Sequence, residues 1–118
     1  MISVFIPGLV TKTPNGADGR WVRTFSRRKL ERGTAALMLR QSREKAPDYP
    51  LTITLTRCAP RTLDDDNAVY SMKSVRDGVA DFLKINDRDP RVTWKVEQRK
   101  ATRLESGTLV EIRGRVAG

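Results

Sequence analysis

Three aspartates in a row, Asp64-Asp65-Asp66, followed at once by Asn67, are the residues of this chain best suited to do chemistry. Carboxylates a few ångströms apart repel and raise one another's pKa, so placing three together needs an offset. A helix N-terminus supplies part of it and a divalent cation nearly all of it. A second acidic group, Asp87-Arg88-Asp89, lies beyond the helix expected to follow, and with Asp77 and Asp81 these residues supply half of the chain's 14 acids. The chain has no histidine and a single cysteine, which excludes zinc-hydrolase sites, histidine general bases and Cys–His nucleophiles. It carries no Walker-type phosphate loop, so no nucleotide cofactor is expected. What remains is oxygen-only ligation, which selects Mg²⁺, with Mn²⁺ as a substitute. The matching reaction is metal-assisted phosphodiester hydrolysis, in which Lys73 would neutralise charge on the phosphate or help position the water. Plainer alternatives stand beside this one. One aspartate can simply cap a helix, and Asp87 and Asp89 can pair with Arg88 and Arg91 in a loop around Pro90.

The acids are set in a strongly basic protein. At 118 residues with a net charge of +9, the chain is sized for one domain and one core, and its charge points to a polyanionic partner. In the first third, Arg20, Arg23, Arg27, Arg28, Lys29 and Arg32, then Arg40, Arg43 and Lys45, face only Asp18, Glu31 and Glu44. That imbalance reads as a phosphate-tracking stripe, although a solvated helix face has the same composition. Arg20, Arg23, Arg27, Arg28 and Lys29, with Arg61, Arg88 and Arg91 flanking the acids, are therefore the candidate DNA contacts. Cys58 alone forms no internal disulfide and reads as a buried strand residue in a reducing compartment. No apolar run approaches the roughly 18 residues of a membrane span. Met1 to Val10 lacks the order of a signal peptide, so a cytosolic protein with no membrane partner is expected.

These residues need elements to position them. Met1 to Ile6 reads as a first strand, and the turn-rich stretch Thr11 to Arg20 as an exposed loop. A helix is expected from Phe25 to about Ala46, with Leu30, Ala36, Leu37 and Met38 buried and Leu39 on the flank. Leu51 to Cys58 alternates as a half-buried strand with Leu51, Ile53 and Leu55 inward, and it delivers the acids at its C-terminal end. The following helix runs to about Leu83. Its apolar side is Met72, Val75, Val79, Phe82 and Leu83, and Asp66, Tyr70, Lys73, Asp77 and Asp81 fall opposite. Taken alone, that polar side is an ordinary solvated face, with Lys73 and Asp77 an ordinary i,i+4 pair. Val92 to Gln98, with Val92, Trp94 and Val96 inward, and Thr108 to Arg113 complete the strands. The expected fold is a single α+β domain over residues 1–118, a mixed sheet of about four strands packed against two main helices.

The acidic stretch also carries a resemblance. Asp64-x-Asp66-Asn67, then Lys73-x-x-x-Asp77, then Asp87 resembles the RusA family of Holliday-junction resolvases. The likeness is strongest from Arg61 to about Gln98, and closest to the short phage and prophage versions. Those carry a helix end like Asp77-Gly78-Val79-Ala80-Asp81 and a turn like Asp87-Arg88-Asp89-Pro90-Arg91-Val92. The resemblance implies a homodimeric, magnesium-dependent endonuclease that nicks branched DNA symmetrically. Asp64, Asp66 and Asp87 would hold the metal and Lys73 would be the catalytic lysine; Asp65 and Asp89 could serve as extra or outer ligands, which the residue order leaves open. In founding members the lysine stands about one helical turn nearer the acidic run. Two other readings remain open: a non-catalytic DNA-binding homologue of the same fold, and a basic accessory domain with no nucleic-acid role.

Overall fold

The computed structural model describes residues 1–12 and 21–115. The turn-rich loop expected around Pro14-Asn15-Gly16 lies outside the described residues. The elements run β1 (Ile2–Pro7), α1 (Trp21–Gln41), β2 (Leu51–Ala59), α2 (Asp65–Ser71), α3 (Lys73–Leu83), β3 (Val92–Lys100), a single 3₁₀ turn (Arg103–Glu105) and β4 (Gly107–Arg113). This is the expected α+β domain with a four-stranded mixed sheet. The strand order is β1-β4-β2-β3, so the last strand inserts between the first two instead of pairing with its predecessor. β4 is antiparallel to both neighbours, and β2 and β3 are parallel.

The parallel pair sets the geometry of the site. β2, the two helices and β3 form one crossover unit, because a parallel partner is reached only by carrying the chain back across the sheet. The acidic run therefore leaves the C-terminal end of β2, whereas Asn86 to Arg91 enters β3 at the opposite end. The core is the apolar face of the sheet, with Ile2, Ile6, Leu51, Ile53, Leu55, Val110 and Ile112, packed under Leu39, Met72, Val75 and Val79.

The helices differ from expectation in their bounds, with α1 starting at Trp21 and not Phe25, in the buried face of α1, and in the continuity of the second. α1 ends at Gln41, earlier than Pro47 suggests, because Ser42 donates its Oγ to the Leu39 carbonyl (2.6 Å) and Arg43 turns into the left-handed region (φ 57°). Its buried stripe is also rotated: Leu30 is 71% exposed and Leu37 is exposed, while Glu31, Ala35, Ala36 and Leu39 are buried. The cause is the neighbour. α1 crosses α3 at Gly78, where an added Cβ would stand 2.4 Å from the Arg32 carbonyl and 2.9 Å from the Ala35 Cβ. Only small residues fit that crossing, so Ala35 faces it and the leucines turn away. Glu31 tolerates burial because Ser74 of α3 donates a hydrogen bond to it at 2.7 Å.

The second expected helix is two pieces. α2 stops at Ser71 and α3 starts at Lys73, with Met72 in the sparsely used bridge region (φ −85°, ψ 0°). Met72 is itself buried in the core, which anchors the junction. α3 closes on Lys84 in the left-handed conformation, whose following amide, that of Ile85, donates to the Ala80 carbonyl at 3.0 Å.

Candidate metal and nucleic-acid site

Asp64 is the N-cap of α2, yet no side-chain capping hydrogen bond is made. Asp64, Asp65 and Asp66 are all exposed. Among the described residues none of their carboxylates takes part in a hydrogen bond or an ion pair, so capping does not account for the run. Its backbone, in contrast, is held firmly. The Gln98 carboxamide of β3 reads Leu63 at both ends, accepting its amide (2.7 Å) and donating to its carbonyl (2.7 Å). Arg57 of β2, 6% exposed, donates through Nη1 to the Arg61 carbonyl (2.6 Å) and through Nε to the Thr11 carbonyl (2.9 Å). It has no carboxylate partner among the described residues, and burial pushes its pKa down. Two side chains thus fix the connector from β2 to the acids.

The other acidic group is built differently. Asp89 receives Nε and Nη2 of Arg91 at 3.0 and 2.8 Å and the Arg91 amide at 2.9 Å, and Arg91 holds its carboxyl near a pKa of about 2. Arg91 in turn lies over the Tyr49 ring at 4.1 Å. Both are committed to the loop. Asp87 is held through its carbonyl, which accepts Nη2 of Arg76 (2.8 Å) and Nε1 of Trp94 (3.2 Å), while Arg76 stacks on Trp94 at 4.8 Å. Its carboxylate is unengaged among the described residues. It lines a pocket with Arg32, Asp77 and Asp81, and not with the acidic run.

The expected set of Asp64, Asp66 and Asp87 is therefore not gathered within the chain. Trp94, which holds Asp87, and Gln98, which holds Leu63, are four residues apart on β3, roughly 13 Å along a strand. Among the described residues no three acidic, histidine or cysteine side chains stand close enough to hold an ion together. Magnesium asks for less than a closed cage, since it keeps several waters and takes one or two carboxylates plus substrate phosphates. Asp64 and Asp66 meet that demand in donor chemistry; Asp87 does not reach them.

Lys73 opens α3 with its ammonium 3.9 Å from Asp77, a loose pair of an exposed lysine and a half-buried carboxylate. It lines a groove of about 500 Å³ with Arg28, Lys29, Arg32, Ser74 and Asp77, between α1 and α3. Arg32 is neutralised by a two-point bridge to Asp81 (2.6 and 2.8 Å), which holds the Asp81 carboxyl below its ordinary range. Arg28 lies over the Tyr70 ring at 4.9 Å. Of the other candidate DNA contacts, Arg27 lines a separate groove beside β1, and Arg61 and Arg88 are exposed. Arg20 and the side chain of Arg23 lie outside the described residues.

Gln98 and Arg57 are the positioning residues of the candidate site that composition and charge do not single out. A signal for them exists in the strand period: each occupies an inward position that an apolar residue would otherwise fill, Arg57 after Leu55 and Gln98 after Val96.

No described helix is long and apolar enough to cross a membrane. No family model matches the chain. An uncharacterized protein of Xylella fastidiosa is 36% identical over 85 residues, which cover 64% of this chain and 53% of that protein. The chain thus spans about half the length of the relative it matches.

Proposed function

We propose that the protein is a Mg²⁺-dependent, structure-specific endodeoxyribonuclease acting on branched DNA such as Holliday junctions, of the RusA type that its acidic motifs resemble. The observation that carries this reading is the acidic run itself. Its carboxylates are exposed and form no hydrogen bond or ion pair among the described residues, although Asp65 and Asp66 lie in the first turn of α2, on a backbone fixed by Gln98 and Arg57, in a chain of net charge +9. Asp64 and Asp66 would hold the ion, with Asp65 beside them, and bound there it would activate water and neutralise charge at the phosphate. Lys73, Arg28 and Lys29 bind and orient the DNA backbone along the groove. Paired cuts in two strands related by a dyad call for a C2 homodimer.

The test is cleavage of a labelled four-way junction beside a matched linear duplex, in Mg²⁺, in Mn²⁺ and in EDTA. The parent should nick the junction symmetrically with metal only. Asp66→Asn should lose nicking while binding as tightly or more tightly, because a negative charge beside phosphates has been removed. The separation of Asp87 from the run favours one competing reading, a DNA-binding homologue without catalysis. Tight junction binding with no cleavage in either metal would decide for it.

A further inference from the structure

We infer that Tyr70 and the groove beside it form a binding site for an unpaired nucleotide, the Tyr70 ring stacking on its base and Arg28, Lys29 and Lys73 taking the flanking phosphates. The inference rests on the nuclease reading and adds what the site recognises at a branch.

Tyr70 is 54% exposed and its neighbour Val69 is 55% exposed, on a helix only as long as Asp65–Ser71. The core does not use the ring. Arg28 lies over it at 4.9 Å, which fixes the ring and places a cation against it, while the exposed remainder stays open to a second planar group. Asp66 stands one helical turn away on α2, so a base on Tyr70 would sit beside the carboxylates proposed to hold the ion.

The groove supplies the charge. Of the four cations among its described lining residues, Arg32 is satisfied by Asp81, and Lys73 is loosely paired with Asp77 at 3.9 Å. Arg28 and Lys29 form no ion pair among the described residues. Arg28 Nη2 is shielded from water and has no acceptor among the described residues, so a phosphate would be met by the outward-facing part of the guanidinium. An aromatic platform beside a basic groove is how proteins hold single strands, since every base offers a stacking face once it is unpaired. Inside a duplex both faces are covered by neighbouring bases, so this site discriminates in favour of a gap or branch point.

The test measures binding in EDTA, so that no strand is cut. The probes are a blunt duplex and the same duplex interrupted by a short single-stranded gap carrying 5-iododeoxyuridine. The parent should prefer the gapped probe, and photocrosslinking should map to Tyr70. Tyr70→Ala should weaken gapped-probe binding roughly tenfold and leave the blunt duplex unchanged, whereas Tyr70→Phe should retain the preference. Because Tyr70 lies outside the core, its variants should melt with the parent. Equal binding of both probes by the parent, an undiminished preference in Tyr70→Ala, or a crosslink at another residue overturns the inference while leaving the nuclease reading intact. No binding of either probe at low salt removes both.

Discussion

The two ends of the β2–β3 crossover treat their aspartates in opposite ways. At the C-terminal end of β2 the side chains of Asp64, Asp65 and Asp66 are idle among the described residues, and the backbone before them is pinned by Gln98 and Arg57. At the entry to β3 the Asp89 carboxylate is itself the structural element, bound at three points by Arg91. Exposed carboxylates need no partner, so on the proposed nuclease reading it is the idle set on a fixed backbone, and not the paired one, that is free to hold an ion. The contrast predicts unequal mutants. Asp66→Asn should cost several kcal/mol of charge stabilisation, on the order of a thousandfold in nicking rate. Asp89→Asn should leave the rate within about tenfold of the parent and act instead on loop order, seen as faster amide exchange from Asn86 to Arg91. Comparable losses of rate in the two variants would abolish the distinction.

Asp87 sharpens the comparison, because its carbonyl is structural and its carboxylate is idle. It cannot join Asp64 and Asp66 within one protomer while Trp94 and Gln98 hold their present partners. A ligand role for it at the proposed ion would require a second copy of the chain. Mixing Asp66→Asn with Asp87→Asn tests this directly. If Asp87 acts across a dyad, two proteins that are each inactive regain roughly a quarter of the parent's sites on random exchange. If Asp87 takes no part, Asp87→Asn alone nicks like the parent and mixing adds nothing beyond its own activity.

The backbone clamp at the acidic end should matter less than the acids and more than any surface pair. Gln98→Ala leaves both the amide and the carbonyl of Leu63 without their partner, about 1–3 kcal/mol for each group that stays buried. The expected result is a 10- to 100-fold fall in nicking rate with junction affinity unchanged, since no cation is lost. Gln98→Glu keeps an acceptor for the Leu63 amide but sets a carboxylate against the Leu63 carbonyl, so it should not rescue the rate. Weakened junction binding in either variant would show that the clamp shapes the DNA surface instead.

Much of this was legible in the residue order, and the limits have identifiable causes. The strands were readable because Leu51, Ile53 and Leu55 alternate against Thr52, Thr54 and Thr56. The acidic run was readable because charge repulsion is a local property. The buried face of α1 was not, since it is set by the close crossing at Gly78, a contact between segments far apart in the chain. Nor was the position of Asp87. Its distance from Asp64 depends on which sheet end each loop occupies, and that follows from β2 and β3 being parallel. Polar residues at inward strand positions, Arg57 and Gln98, were visible as breaks in the period, but their partners are backbone atoms that carry no signature in the residue types.

The smallest expected effect concerns the bridge that fastens the basic helix to the crossover. Arg32 of α1 grips Asp81 of α3 at 2.6 and 2.8 Å and lowers the pKa of its carboxyl. A depressed carboxyl pKa means that this contribution is complete above the unfolded value near 4 and is lost as pH falls through the folded value. Both side chains are close to half exposed, at 50% and 42%, so solvent screening holds the bridge to under about 1 kcal/mol. The melting temperature of the parent should therefore fall more steeply between pH 5 and pH 3 than that of Asp81→Asn, a gap that narrows in high salt. Parallel pH profiles would mean that the α1–α3 crossing is held by its buried contacts, among them Gly78–Ala35 and the Glu31–Ser74 hydrogen bond, with no measurable part played by the bridge.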